Sequence, residues 1–282
     1  MILLKKLFTL TDSMDSEEAR AYIAEHREGD YTLLDVRQPW EYEEEHIPGA
    51  KLIPLPQLPD AYKELDPEKP TLVHCAIGGR SRVAAQMLSG LGFKEVYNLS
   101  GGIKALKGQK ATGPEELNLS LVRGDETPIE EMIALAYGME KGLQTFYESM
   151  QAKTTDQELK DLCGRLARIE VQHEKKLFEL YKTFDPAQDL AAFEAATVSG
   201  MLEGGFDLKE FLEKNGPFLE KAQDILELAM MLETQALDLY LRFAGRSANA
   251  QTRDVLFTIS GEEKAHLAAL GRLLEENLGG GG

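Results

Sequence analysis

Glu170-Val171-Gln172-His173 recurs as Glu263-Lys264-Ala265-His266, and this repetition decides the architecture of more than half of the 282-residue chain. Each pair lies inside helical periodicity, so its carboxylate and imidazole project from one helix face. Working outward, four seams can be written with alternating spacings of four and three. The first is Ile129, Ile133, Ala136, Glu140, Leu143, Tyr147, Met150, and the second Leu159, Cys163, Leu166, Glu170, His173, Leu177, Leu180. The third is Ala222, Leu226, Ala229, Glu233, Ala236, Tyr240, Phe243, and the fourth Thr252, Leu256, Ile259, Glu263, His266, Leu270, Leu273. Charged residues interrupt each apolar seam at the same depth. A bare carboxylate at a seam position costs several kcal/mol, and four unpaired ones would unfold the assembly. Two divalent cations would cancel the four charges. Two lone glutamates, Glu140 and Glu233, plus two E-x-x-H pairs form the ligand set of a dinuclear site between four helices. Hard oxygen ligands with one imidazole per metal suit iron, with manganese or zinc as alternatives. From the symmetry, Glu170 and Glu263 are the expected bridges and Glu140 and Glu233 the terminal ligands. Tyr147 and Tyr240 lie two turns from Glu140 and Glu233, about 10 Å along the axis. They read either as core tyrosines or as groups that act on chemistry at the metals.

Helix pairs one–two and three–four are joined by short connections, whereas about 35 residues, 184–218, separate the pairs. That segment reads as two shorter helical pieces with a break at Gly204-Gly205. One long crossover between two helix hairpins is the expected topology for residues 127–278, with a glycine-rich tail after it. Residues 109–126 read as a linker.

Residues 1–108 have a different rhythm. Tyr31–Val36 and Thr71–Cys75 read as buried strands, and Asp15-x-x-Glu18 is a capping box opening a helix that runs to about Arg27. A further helix is expected from about Ser81 to Leu91, with Val83, Met87 and Leu91 on one side. Alternating strands and helices predict a parallel sheet flanked by helices.

Composition narrows the partners. A formal net charge of −17 argues against nucleic acid or an anionic membrane. Two cysteines without a C-x-x-C exclude a disulfide framework and a four-cysteine iron or zinc site. The apolar start is short, is interrupted by Lys5 and Lys6 and lacks a small-residue cleavage site. No run of about 20 apolar residues is present. A cytoplasmic location is the expectation.

Cys75-Ala76-Ile77-Gly78-Gly79-Arg80-Ser81 follows a strand and opens a helix. Gly78 and Gly79 let successive N–H groups turn inward as an anion nest. The helix dipole and Arg80 would lower the thiol pKa from its usual value of about 8.5. A thiolate cradled in this way can accept a sulfur atom and retain the persulfide anion. Four residues between Cys75 and Arg80 fit a sulfur-sized cavity, whereas similar phosphatase and arsenate reductase loops have five.

With Leu34-Asp35-Val36-Arg37, Pro39-Trp40-Glu41-Tyr42, His46-Ile47-Pro48-Gly49-Ala50 and Leu99-Ser100-Gly101-Gly102-Ile103, this region resembles rhodanese-type single-domain sulfurtransferases over most of residues 8–108. The resemblance implies that Cys75 carries the persulfide. Arg80 and the loop from Ala76 through Ile77, Gly78 and Gly79 to Ser81 would bind the sulfur and an anionic donor. Asp35 and Arg37 would buttress the loop, and His46 and His74 would be structural. Leu106 stands where rhodaneses usually carry a tryptophan. Residues 127–275 resemble the rubrerythrin and ferritin-like di-iron proteins, which implies an all-α ferritin-like four-helix bundle whose iron reacts with peroxide or oxygen. Rubrerythrins carry a further glutamate three residues beyond the lone one of the third helix, and here that position is Ala236. The rubredoxin domain of rubrerythrins is missing, so an external electron donor is expected.

The leading expectation is a bifunctional enzyme. A Cys75 persulfide would move sulfane sulfur from a small anionic donor to a thiol or cyanide, and a di-iron site would perform redox chemistry on peroxide, oxygen or a sulfur species. Fusion in one chain would couple the two at high effective concentration. The alternative is a persulfide carrier or sensor with a metal-storing or purely structural bundle. A homodimer is the default assembly.

Overall fold

The structure, a computed structural model, describes residues 12–122, 127–197, 200–215 and 219–279. The expected apolar start, Arg123-Gly124-Asp125-Glu126 of the expected linker and the end of the glycine-rich tail lie outside these residues. The chain divides into two compact units, Met1–Leu117 and Asn118–Gly282.

The first unit is a five-stranded parallel sheet flanked by helices. Its elements are β1 (Asp12–Met14), α1 (Ser16–Glu25), β2 (Thr32–Asp35), α2 (Pro39–Glu44), β3 (Lys51–Leu52), α3 (Leu58–Ala61), β4 (Thr71–His74), α4 (Gly79–Gly90), β5 (Val96–Leu99) and α5 (Gly102–Ala105). The spatial order is β1-β5-β4-β2-β3. The capping box forms: Asp15 accepts from the amides of Glu17 and Glu18 at 2.8 and 2.9 Å, and Glu18 accepts from the Asp15 amide at 2.9 Å. β4 is central and buried along its whole length, as a strand covered on both faces must be. The loops after β2, β4 and β5 therefore leave the same edge of the sheet side by side, where open parallel sheets bind ligands.

On α4, Val83 and Leu91 are exposed, and the helix instead presses Ser81, Ala84, Ala85 and Leu88 inward. Small residues on that side allow the close approach of helix to sheet. Residues 109–117 belong to the first unit rather than to a free linker. Ala111 is fully buried and exchanges backbone hydrogen bonds with His46 at 2.8 and 2.9 Å, and the Gly113 amide donates to the Glu43 carbonyl.

The second unit is largely helical. Four long helices, α6 (Ile129–Lys153), α7 (Gln157–Lys182), α10 (Ala222–Arg246) and α11 (Ala250–Gly279), carry the four seams. Every seam residue is buried except Leu180 and Ala222, which are half-buried. α6 packs on α7 and α10 on α11, and the pairs meet through α6 with α11 and α7 with α10. Apolar clusters lie on both sides of the charged layer. The segment between the pairs holds α8 (Leu190–Ala196), α9 (Leu208–Asn215) and, at the expected glycine break, a two-stranded antiparallel ribbon. Its strands are β6 (Met201–Leu202) and β7 (Phe206–Asp207), joined by a tight turn, Glu203–Gly205. Among the described residues no helix is long and apolar enough to cross a membrane.

Candidate functional site

Cys75 immediately follows β4, its residue almost wholly buried, and α4 begins four residues later. The Gly78 amide donates to Cys75 Sγ at 3.1 Å. Burial, the largest influence on the thiol, raises its pKa, but hydrogen bonds from the Ser81 side chain and from the amides of Ser81, Ile77 and Gly78 outweigh it and leave the pKa below the ordinary value. The Ser81 hydroxyl stands 3.5 Å from the sulfur and 2.7 Å from Asn98 Oδ1. It has one proton, and the shorter bond to Asn98 takes the larger share of it. The amides therefore carry most of the stabilisation of the thiolate, as in an anion nest at a helix N-terminus.

Glycines hold the loop in place. Gly78 has φ of +92°, and a Cβ there would meet the Gly101 amide nitrogen at 3.0 Å. Gly102 has φ of +61°, and its Cβ would overlap the Cys75 carbonyl oxygen. With that space open, α5 donates from Ile103 N to the Cys75 carbonyl at 2.8 Å and from Lys104 N to the Ala76 carbonyl at 3.2 Å. The two loops thus support each other through mutual backbone contact.

Arg80 lies at the loop, with an exposed side. Its two terminal nitrogens donate to Glu41 at 2.6 and 2.7 Å, a bidentate pair that depresses the Glu41 pKa. The same Glu41 carboxylate accepts from the Gln38 amide at the start of α2. Sequence reading expected Arg80 to be free for a bound anion and gave Glu41 no role. The signal available was Glu41 at the third position of a helix beside the cysteine loop. Asp35 and Arg37 form a buried pair at 2.7 Å, and Arg37 also donates to the Glu45 carbonyl. Both residues stand behind the loop edge. His74 is fully buried, and desolvation lowers its pKa to about 4, so it is neutral. Among the loop residues, Ile77 and Gly79 are exposed, Ala76 is half-buried, and Gly78 and Ser81 are buried.

In the second unit Glu140, Glu170, His173, Glu233, Glu263 and His266 are all buried in one layer. His173 Nδ1 lies 2.8 Å from Glu170 and 3.4 Å from Glu140. His266 Nδ1 lies 3.1 Å from Glu263 and 3.2 Å from Glu233. The two imidazoles stack, centres 3.4 Å apart and planes within 7°. Ligand atoms of Glu140, His173 and His266 lie within 4.8 Å of one another, as do those of Glu233, Glu263 and His266. Desolvation pushes Glu140 up to about 8 and Glu170 up to about 7, and raises Glu233 well above the usual range. For Glu263, burial acts upward but hydrogen bonding and attraction to His266 win, and its pKa falls.

A cavity of about 460 Å³, lined by Glu140, His173, Glu263, His266, Lys176 and Thr258 among others, connects this layer to solvent. A larger hollow of about 990 Å³, beside Met150 and Leu208, contains none of these ligand candidates. Tyr147 is fully buried with no hydrogen-bond partner for its hydroxyl among the described residues, whereas the Tyr240 hydroxyl donates to Met139 Sδ at 3.5 Å. Cys163 is fully buried, and burial pushes its thiol up to about 11.

Two further acids belong to this layer, and sequence reading missed both. Glu174 follows His173, is buried, and pairs with Lys141 at 3.2 Å. Glu203 comes from the crossover turn, is fully buried, and approaches Glu140 and Glu263 within the same 4.8 Å limit. Glu203 lies outside every helical seam, and its only sequence signal is the Gly204-Gly205 that follows it.

Comparison with known proteins bears on the first unit. The family model described as "Rhodanese-like domain" matches residues 18–109. "Rhodanese-like/PpiC domain-containing protein 12, chloroplastic" of Arabidopsis thaliana is 49% identical over 77 residues, covering 26% of this chain and 26% of that protein. "Uncharacterized protein YqhL" of Bacillus subtilis (strain 168) is 46% identical over 77 residues, 27% of this chain and 61% of that protein. "Thiosulfate sulfurtransferase GlpE" of Coxiella burnetii (strain RSA 331 / Henzerling II) is 40% identical over 89 residues, 32% of this chain and 83% of that protein. The chain spans less than two thirds of the length of the Arabidopsis and Bacillus relatives.

Proposed function

The chain belongs to the rhodanese family through residues 18–109, and on that premise we propose that its first unit transfers sulfane sulfur through a persulfide on Cys75. The observation that carries this reading is a thiol of lowered pKa facing backbone amides where β4 meets α4. The Cys75 thiolate attacks the outer sulfur of a small anionic donor such as thiosulfate, the substrate in the Coxiella protein's name. The Cys75 Sγ–S bond forms, the donor's S–S bond breaks, and sulfite leaves with its electron pair. A thiol or cyanide then attacks the outer sulfur, and Cys75 departs as the thiolate. The same amides hold the negative charge in both covalent states, so the nest stabilises each in turn. Ala76, Ile77, Gly78, Gly79 and Ser81 form the cradle. Arg80, oriented by Glu41, offsets the charge of the incoming donor, and Asp35 with Arg37 positions the loop. Thiosulfate-to-cyanide turnover, lost in Cys75→Ser, is the test. Persulfide loading without transfer would instead establish a carrier.

For the second unit we propose a ferritin-like four-helix bundle that holds two metal ions between its helix pairs. The residues present fit such a centre. Four seam carboxylates and two imidazoles converge in a buried layer, both Nδ1 atoms face carboxylates, and Glu140 Oε2 is buried without a hydrogen-bond partner among the described residues. Glu140, Glu170, His173, Glu233, Glu263 and His266 would hold the metals. Iron bound there would supply one-electron chemistry toward peroxide, oxygen or a sulfur species, with electrons from an external donor. The chain's own contribution is to exclude bulk water through the apolar clusters and to admit small molecules through the cavity beside His173 and His266. The Tyr147 phenol, kept protonated by burial and by nearby Glu170 and Glu233, offers an uncommitted O–H inside the core. About two irons per chain in protein purified without oxygen, lost in Glu170→Ala, is the expected result. A metal-free chain that folds unchanged as the variant would leave the bundle a scaffold.

A further inference from the structure

We propose that Glu203 is a further carboxylate ligand of the metal centre, supplied by the crossover rather than by a long helix; the inference rests on the reading of that centre given above. Glu203 is fully buried, and both of its carboxylate oxygens lack a hydrogen-bond partner among the described residues. Its ionisable neighbours include the carboxylates of Glu263, Glu140, Glu170 and Glu233 and the phenols of Tyr147 and Tyr240. A buried carboxylate with neither donor nor cation is among the costliest groups a core can hold, and a leucine there would carry no such cost. The charge is explained if a cation stands between Glu203 and the oxygens of Glu140 and Glu263, which lie within 4.8 Å of it.

The backbone around Glu203 is shaped to bring it there. Gly204 and Gly205 have φ of +72° and +85°, the left-handed region that favours glycine. A Cβ at Gly204 would lie 2.6 Å from Gln235 Cβ, so the turn rests directly on α10 two residues beyond Glu233. On the opposite side, a Cβ on Gly142 of α6 would overlap the Met201 carbonyl oxygen. Gly142 lies two residues beyond Glu140. The ribbon is therefore admitted between α6 and α10 at the level of their ligands, and Asn118 Nδ2 fixes it by donating to the Gly204 carbonyl at 2.6 Å. Leu202, next to Glu203, is fully buried and anchors the strand in the apolar cluster. The two flanking contacts are built for close approach, and the side chain they deliver is an acid.

The test uses the full chain, stripped with chelator and titrated anaerobically with cobalt(II), whose visible spectrum reports the ligands. Wild type is expected to take up about two cobalt ions per chain. Glu203→Gln keeps the side-chain volume and removes the charge. It is expected to bind at least one cobalt about tenfold or more weakly, with a changed visible spectrum. Its stripped form should melt no lower than stripped wild type, and metal should raise its melting temperature by less. Should Glu203→Gln fail to fold, Glu203→Asp, which keeps the charge one methylene short, should show the same changes to a smaller degree. Two cobalt ions bound by the variant with wild-type affinity and spectrum would overturn the role of Glu203 and leave the centre intact. No cobalt bound by wild type would overturn the centre itself, and this proposal with it.

Discussion

Replacing Gly102 by alanine should disable sulfur transfer without touching the sulfur, the loop side chains or Arg80. Its φ of +61° costs an alanine about 1–2 kcal/mol by itself. The new Cβ would also stand 2.6 Å from the Ala76 carbonyl carbon and overlap the Cys75 carbonyl oxygen, where ordinary contact begins at 3.4 Å. The loop or α5 must therefore retreat by about an ångström or more, and the bonds from Ile103 N and Lys104 N that hold the two together must lengthen. A displacement of about 1 Å in a reacting group costs about 10²-fold in rate. The expected result is a kcat/KM for thiosulfate-to-cyanide transfer lowered by about 10²-fold, with a melting temperature lower by at least about 5 °C. Gly92→Ala is the control. Its φ is +99°, and a Cβ there meets nothing within 4 Å, so it should lose stability while keeping turnover within about twofold. Both variants are assayed at a temperature where each is folded. If Gly102→Ala turns over as fast as Gly92→Ala, the mutual support of the two loops is not what positions Cys75.

Because the Cys75 pKa lies below the ordinary thiol value, its alkylation rate should rise with pH and level off at a lower pH than for a free cysteine; a midpoint at or above about 8.5 would contradict the amide nest. Ser81→Ala should move that midpoint little, since the Ser81 proton is committed to Asn98, and a shift of a full unit would show that the hydroxyl serves the sulfur. Glu41→Gln should loosen Arg80 and raise the KM for thiosulfate about tenfold with kcat less affected, read from steady-state kinetics. In the metal-stripped chain, Glu140 and Glu170 have folded pKa values raised to about 8 and 7, so the folded state binds more protons than the unfolded one. Their stabilisation is complete at low pH and disappears as pH rises through those values, so the melting temperature of the second unit should fall between about pH 5 and 8. A flat profile would mean that these carboxylates are not buried as described.

Periodicity and local chemistry were readable where each residue's role depends on near neighbours in sequence. The capping box at Asp15, the strand before Cys75, the Gly78 amide at the sulfur and the four helical seams are of this kind, and burial of Glu140, Glu170, Glu233 and Glu263 follows from their seam positions. Contacts made across long sequence separations were not readable. Arg80 meets Glu41 from another helix, Ser81 of α4 meets Asn98 on β5, and Ala111 and Gly113 fold back onto His46 and Glu43 through backbone bonds that no composition announces. Periodicity put Val83, Met87 and Leu91 on one side of the helix without saying which side is buried, and packing on the sheet selects the small alanines of α4. Glu203 escaped notice because it stands in irregular chain, where no period says which way a side chain points.

The arrangement of the candidate ligands over two helix pairs bears on how the second unit folds. Glu140, Glu170 and His173 belong to α6 and α7, joined by a connection of three residues, and Glu233, Glu263 and His266 belong to α10 and α11, joined by another. Each hairpin is built from local contacts and can form quickly, on a scale of microseconds to milliseconds for helical units. Docking the hairpins makes contacts between residues far apart in sequence, which is slower, and it brings the carboxylates of both into one dry layer. Without cations those carboxylates must take up protons or repel one another, which raises the barrier to docking. A metal ion captured by the E-x-x-H pair of one hairpin would lower that barrier for the arrival of the other, acting on the rate of assembly as well as on the stability of its product.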